Sequence, residues 1–130
     1  MTKKLAVIFG VVFVLVGILG FIPNPIVGNN AGNVIFLTDG IHNLVHIIIG
    51  VVLLIAGGKS MAAARKALIT FGVVYLILAL DGFVEKDSLL GFVTQNTADT
   101  WLHLVLAVVL LAVGLPAAKG MSMSNQSSTM

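Results

Sequence analysis

The sequence predicts an all-α fold, a transmembrane four-helix bundle built from two parallel-repeat helical hairpins. Three observations lead to this prediction. Charged residues make up only 9% of the 130 residues and hydrophobic residues 58%, whereas about a quarter of a typical soluble domain is charged. Four apolar runs are each long enough to cross a bilayer as a helix. The basic residues lie almost entirely in alternate loops between these runs, as in a membrane protein with a defined orientation.

The apolar runs define four predicted spans, which cover about residues 5–22, 41–57, 67–84 and 101–118. At a rise of about 1.5 Å per residue, runs of this length reach roughly 27 Å, the short end of what a bilayer core requires. Pro23 and Pro25 are expected to end the first helix, and Gly57-Gly58 the second. Residues 1–119 are predicted to form one transmembrane domain, and the polar tail, residues 120–130, to be disordered and cytoplasmic.

The distribution of basic residues predicts the orientation of the chain. Of the 7 lysine and arginine residues, all but Lys86 fall on the side of the membrane that also carries both termini. They are Lys3, Lys4, Lys59, Arg65, Lys66 and Lys119. The positive-inside rule therefore places both termini in the cytoplasm. A cleaved signal peptide is an alternative interpretation of the first span, but its apolar run is longer than usual and no small-x-small cleavage site follows it.

The second half of the chain resembles the first. When the first span is placed on the third, Phe9-Gly10-Val11-Val12-Phe13 aligns with Phe71-Gly72-Val73-Val74-Tyr75. When the second span is placed on the fourth, His46 aligns with His103. Both halves would begin on the same side of the membrane, so the repeats are predicted to be parallel and related by an axis along the membrane normal.

Small residues recur along the first and third spans. They are Gly10, Gly17, Gly20, Gly72, Ala79 and Gly82. Helices in lipid gain little from burying apolar surface against each other, so close backbone approach and van der Waals packing must hold them together. We therefore expect these six residues to lie at helix contacts.

Polar residues gather toward one end of the predicted spans, where each is costly and requires an explanation. They are His42, Asn43, His46, Asp81, Asp99 and His103. Two of the histidines, His42 and His46, are one helical turn apart and share a face. Because alternate spans run in opposite directions, all six residues are predicted to lie in the extracytoplasmic third of the bundle. The sequence does not determine which of them face one another.

Four interpretations of this polar cluster remain open. The preferred one is an interhelical hydrogen-bond network, with each bond worth roughly a kilocalorie per mole. A second is a divalent metal site, such as zinc, with His42, His46 and His103 as candidate ligands. A third is a haem held between His46 and His103. A fourth is a proton or solute path, which the wholly apolar cytoplasmic half of the spans disfavours. No cofactor is predicted.

The residue types and motifs that the sequence lacks exclude several classes of function. It has no cysteine, so disulfides and thiolate chemistry are ruled out. The basic residues are scattered without aromatic interleaving, so no nucleic-acid surface is predicted. No nucleophile–base pair, phosphate loop or dinucleotide fingerprint is present, so the chain is not predicted to be an enzyme.

Several segments of the chain match a known family pattern. They are Phe9 to Phe13, Gly20 to Pro23, His42-Asn43 with His46, Gly72 to Tyr75, and Asn96 to His103. Together, over about Leu5 to Leu115, they resemble a bacterial family of four-span membrane proteins known as domain of unknown function 4383. One departure is Thr100, where such proteins often carry asparagine. The resemblance implies the four-span fold and marks the histidines and Asp99 as a distinctive polar set, but it implies no activity.

The function predicted from these observations is that of a small protein of the bacterial inner membrane, with a structural or accessory role. The expected partners are the lipid bilayer and either a second copy of the chain or another membrane protein. The alternative is a metal- or haem-binding redox or transport module that uses His42, His46 and His103.

Overall fold

The computed structural model describes residues 2–129, with side chains from Thr2 to Leu115. Within this part of the chain there are four helices and two short strand pairs. The helices are α1 (Thr2–Leu19), α2 (Gly40–Lys59), α3 (Met61–Glu85) and α4 (Thr97–Thr129). The strands are β1 (Val27–Gly28), β2 (Phe36–Leu37), β3 (Ser88–Leu89) and β4 (Val93–Thr94). The tail predicted to be disordered, residues 120–130, lies outside the residues whose side chains are described, and its disorder stays a prediction.

The predicted all-α bundle of apolar helices is confirmed. Each of the four helices is long and apolar enough to cross a membrane. The strands form only two-stranded pairs within the long loops, β1 with β2 in parallel and β3 with β4 antiparallel. We call the end of the bundle that carries these two loops the loop end. The arrangement of the two hairpins as parallel repeats stays a prediction.

The first helix ends at Leu19, before the prolines that were predicted to end it. The chain leaves α1 after Leu19 through two tight turns, in which the Phe21 and Ile22 amides donate to carbonyls three residues back. The Asn24 side chain then donates to the Leu19 carbonyl at 2.8 Å and accepts from the Val27 amide at 2.9 Å. Asn24 therefore supplies the partners that the end of a helix lacks, and the helix stops before Pro23.

The third helix begins before its predicted span. Ser60 is the only residue between α2 and α3, and its hydroxyl accepts a hydrogen bond from the Ala63 amide at 3.0 Å. A serine in this position caps a helix by satisfying one of its free amides. As a result, Arg65 and Lys66 lie in the first turns of α3 instead of in a loop.

Each long loop connects two helices that pack closely together, α1 on α2 and α3 on α4. In the first hairpin the contact is backbone against backbone, because a Cβ built on Gly10 would lie 2.8 Å from the Gly50 carbonyl oxygen. In the second, a Cβ built on Gly72 would lie 2.8 Å from Cγ of Leu111. The first hairpin therefore depends on glycine more strictly than the second.

The other small residues predicted at contacts also face neighbouring helices or are buried. A Cβ on Gly17 would lie 2.7 Å from the Asn43 carbonyl oxygen, and one on Gly20 would overlap the Asn43 side chain. Gly82 lies in the same way against Thr100, and Ala79 is fully buried.

The bundle has an apolar surface as well as an apolar core. Its core includes Phe13, Leu53, Leu68, Tyr75 and Leu110, each no more than 3% exposed. Large apolar side chains also cover the outside of every helix. Examples are Leu15 at 59% exposure, Ile55 at 65%, Leu80 at 59% and Val108 at 58%. Such continuous apolar exposure is a liability in water and is what contact with a lipid bilayer requires.

We expect Gly10→Leu to destabilise the bundle, because the new side chain has to displace the α2 backbone at Gly50. Overpacking of this kind typically costs about 1–3 kcal/mol. Gly58→Leu is the matched control, since a Cβ at Gly58 meets nothing within 4 Å. Thermal unfolding in detergent should show a lower melting temperature for Gly10→Leu and little change for the control. Equal melting temperatures for the two variants would contradict this account of the α1–α2 contact.

Candidate functional site

Three histidines and one aspartate converge at the loop end of the bundle. His42 and His46 lie in the first turns of α2, and Asp99 and His103 in the first turns of α4. All four are between 1% and 5% exposed. Ring centroids are 5.0 Å apart for His42 and His46, 5.7 Å for His42 and His103, and 6.4 Å for His46 and His103. We call these four residues the His/Asp cluster.

Asp39 positions His42 by capping α2. One carboxylate oxygen of Asp39 accepts from the His42 amide at 2.8 Å, and the other accepts from the Thr94 amide at 2.9 Å. Burial alone would raise the pKa of the Asp39 carboxyl, but the hydrogen bonds from His42 and Thr94 outweigh burial and hold the pKa below its ordinary value. Asp39 therefore anchors the start of α2 to β4 of the other hairpin.

Asn96 positions Asp99 in a similar way. Its side-chain oxygen accepts from the Asp99 amide at 3.1 Å, and its side-chain nitrogen donates to the Ile35 carbonyl at 3.0 Å. Each cap residue thus also reaches the loop of the other hairpin. Because both caps cross between the hairpins, the starts of α2 and α4 are held beside each other.

The tautomer of His42 follows from its contacts. Its Nδ1 lies 2.9 Å from the Thr94 carbonyl oxygen, and a carbonyl can only accept a hydrogen bond. Nδ1 therefore carries a proton, and Nε2 of a neutral His42 presents a lone pair. That Nε2 lies 3.3 Å from Oδ2 of Asp99, but the two atoms are not aligned for a hydrogen bond.

Several polar atoms of the cluster have no hydrogen-bond partner among the residues that the structure describes. They are His42 Nε2, His46 Nδ1, Asp99 Oδ2 and both ring nitrogens of His103. A buried polar atom without a partner costs about 1–3 kcal/mol. The contacts between these four residues are therefore incomplete as a hydrogen-bond network, and the atoms are available to a proton or a cation.

Two aromatic rings lie against the cluster on the side of the bundle interior. Phe13 of α1 and Tyr75 of α3 stack on each other with ring centroids 5.5 Å apart. Phe13 lies 5.6 Å from the His46 ring, and Tyr75 lies 5.2 Å from the His103 ring. With these rings, all four helices contribute a side chain to the site.

An apolar cavity of about 250 Å³ adjoins the cluster between α2, α3 and the loop that contains β3 and β4. His42, His103 and Tyr75 form part of its wall, and the remaining wall is aliphatic or aromatic. The cavity therefore connects two of the cluster histidines to the exterior of the helix bundle.

Two residues from the predicted polar set lie elsewhere. Asn43 is buried against α1 at Gly17 and Gly20, and it lines a separate cavity of about 600 Å³ beside the first long loop. Asp81 accepts a hydrogen bond from the Leu90 amide at 2.8 Å at a partly exposed position. The structure thus brings together the three histidines and Asp99, while Asn43 and Asp81 make other contacts.

The residues that cap α2 and α4 could have been predicted from their spacing in the sequence. Asp39 and Asn96 each stand three places before a cluster residue, at the start of an apolar run. Aspartate and asparagine are preferred N-caps at such positions. The contribution of the Thr94 carbonyl had no sequence signal, because any residue carries that group.

Comparison with known proteins supports the family resemblance. No curated protein and no solved structure matches the chain. A family model described as a domain of unknown function, DUF4383, matches residues 3–116. This match spans nearly all of the transmembrane part. The chain is therefore a four-helix integral membrane protein that belongs to the DUF4383 family, whose function is unknown.

Proposed function

We propose that this chain is a structural or accessory protein of the bacterial inner membrane, in which the His/Asp cluster joins two helical hairpins into one bundle. The observation that carries this proposal is the contact between His42 of α2 and Asp99 of α4, at 3.3 Å. Both side chains are buried, and each belongs to a different hairpin. In lipid, where water cannot replace lost partners, such a contact favours the assembled bundle when a proton or a cation lies between the two atoms.

The positions of the polar groups favour a structural contact that joins the two hairpins over a path that conducts protons or ions. The core between the cluster and the opposite end of the bundle consists of apolar residues such as Ala6, Leu53, Leu68 and Leu110. A transported ion or proton would need polar stepping stones along this length. The buried histidines and Asp99 are instead concentrated at the loop end, where α2 and α4 begin.

Haem is disfavoured by the packing of the cluster. Phe13, Tyr75 and His42 all lie against the rings of His46 or His103. A haem held by His46 and His103 would have to displace these rings to make room for its macrocycle. A single zinc ion requires no such space.

We expect Asp99→Ala to lower the free energy of unfolding by about 1–2 kcal/mol, near the upper end for polar contacts between membrane helices. Asp99→Asn keeps the shape and can donate to His42 Nε2, so it should retain most of the stability. Asp87→Ala, at an exposed position in the second long loop, is the control for loss of a carboxylate. Unfolding of metal-free protein in detergent provides the measurement. The proposed join is wrong if Asp99→Ala and Asp87→Ala are equally stable.

The proposed orientation, with cytoplasmic termini, is supported by the basic residues near the short α2–α3 connection. Since the chain has no cysteine, single cysteines can report which side each loop faces. In intact cells a membrane-impermeant maleimide should label Ala31→Cys in the first long loop and leave Gly58→Cys unlabelled until the membrane is permeabilised. Both positions are exposed. The reverse labelling pattern would overturn the orientation. Association with a second copy or another membrane protein stays a prediction.

A further inference from the structure

We propose that the three histidines of the His/Asp cluster bind one divalent transition-metal ion of the zinc class, with Asp99 as the carboxylate beside it. This inference deepens the proposed function and rests on it, since the ion would complete the contact between the two hairpins. Four features of the site support it: the spacing of the donor atoms, the tautomer of His42, the unpartnered nitrogens and the chemistry of the donor set.

The donor atoms are close to the spacing that zinc requires. One nitrogen from each of His42, His46 and His103 lies within 4.8 Å of the other two. Zinc–nitrogen bonds of about 2.0–2.1 Å in a tetrahedral site place neighbouring nitrogens about 3.3 Å apart. To bind one ion, the three rings therefore have to close the remaining gap by rotating and shifting toward one another.

His42 already has the form of a metal ligand. Histidines that bind metals usually donate their second ring N–H to a carbonyl or carboxylate, which orients the ring. Nδ1 of His42 lies 2.9 Å from the Thr94 carbonyl in this way. Its Nε2 lone pair then faces Oδ2 of Asp99 at 3.3 Å. Two electron-rich atoms at this distance repel each other unless a cation or a proton lies close to both.

The unpartnered nitrogens point to a ligand shared between the helices. His46 Nδ1 and both nitrogens of His103 lack hydrogen-bond partners among the described residues, and all three histidines are at least nine-tenths buried. One metal ion would satisfy a nitrogen on each ring at once. The Asp99 carboxylate lies near both His42 and His103, at 3.3 and 3.7 Å, and would offset part of the positive charge of an ion in this buried site.

The types of donor atom narrow the range of metal ions that the cluster could bind. Calcium and magnesium require oxygen ligands, whereas three imidazoles and one carboxylate suit zinc and its neighbours in the first transition row. The apolar cavity of about 250 Å³ borders His42 and His103. It leaves open space beside these two rings.

The test uses the full chain, purified in detergent without a polyhistidine tag and stripped with a chelator. Equilibrium dialysis against zinc, followed by elemental analysis, should find one ion per chain. Zinc should raise the melting temperature, because an ion that binds only the folded state stabilises it. Cobalt(II) should give the visible absorption of a four-coordinate site. These three measurements on the wild-type chain do not depend on how any variant folds.

Variants then assign the ion to the cluster. His46→Ala and His103→Ala should each weaken zinc binding by more than about 100-fold, beyond the effect of losing an outer-shell partner. Asp81→Ala is the control, because it removes a carboxylate at the same end of the bundle but outside the cluster. A folded wild-type chain that binds no zinc overturns the metal site, and so does a cobalt spectrum that persists unchanged in His103→Ala.

The metal site and the join can fail separately. If zinc does not bind but metal-free Asp99→Ala is destabilised relative to Asp87→Ala, the proposed join stands and the cluster is held by protons instead. If zinc binds at the histidines but metal-free Asp99→Ala is as stable as Asp87→Ala, the metal site stands and the join is wrong.

Discussion

A lipid bilayer offers polar groups no hydrogen-bond partners, and this constraint organises the whole molecule. The outer faces of the helices carry isoleucine, leucine and valine, which lipid can solvate. The polar side chains in the helices, by contrast, must find their partners inside the protein. The three histidines and Asp99 are gathered at one end of the bundle, where α2 and α4 begin, and several of their polar atoms still lack a partner among the described residues. Contact with lipid therefore explains both the apolar exterior and the burial of these polar side chains.

The cluster depends on helix starts that are set by local chemistry. Asp39 and Asn96 each accept a hydrogen bond from the backbone of a cluster residue, and each makes a second bond to the loop of the other hairpin. This reciprocal pattern couples the two long loops to the positions of the histidines. Farther from the loop end, the glycine contacts of α1 with α2 let these two helices approach closely. Local capping and close packing together thus determine where the imidazoles lie.

Much of this organisation could be predicted from the sequence, and the failures have physical causes. The four helices follow from hydropathy, and the shared depth of the histidines follows from the alternation of the spans. Hydropathy does not specify how each helix is rotated, so it could not separate Asp99, which faces the histidines, from Asp81, which binds the second long loop. Helix ends depended on individual side chains, Asn24 for α1 and Ser60 for α3. These contacts are specific to the folded chain and leave no signal in the composition.

The central claim is that His42 and Asp99 interact across the two hairpins. A double-mutant cycle with His42→Ala, Asp99→Ala and the combined variant, unfolded in detergent without metal, isolates this interaction from the other effects of each change. The account predicts a coupling energy of about 1–2 kcal/mol, in the upper range for contacts between membrane helices. Additive effects of the two substitutions would show that the residues do not interact and would contradict the account.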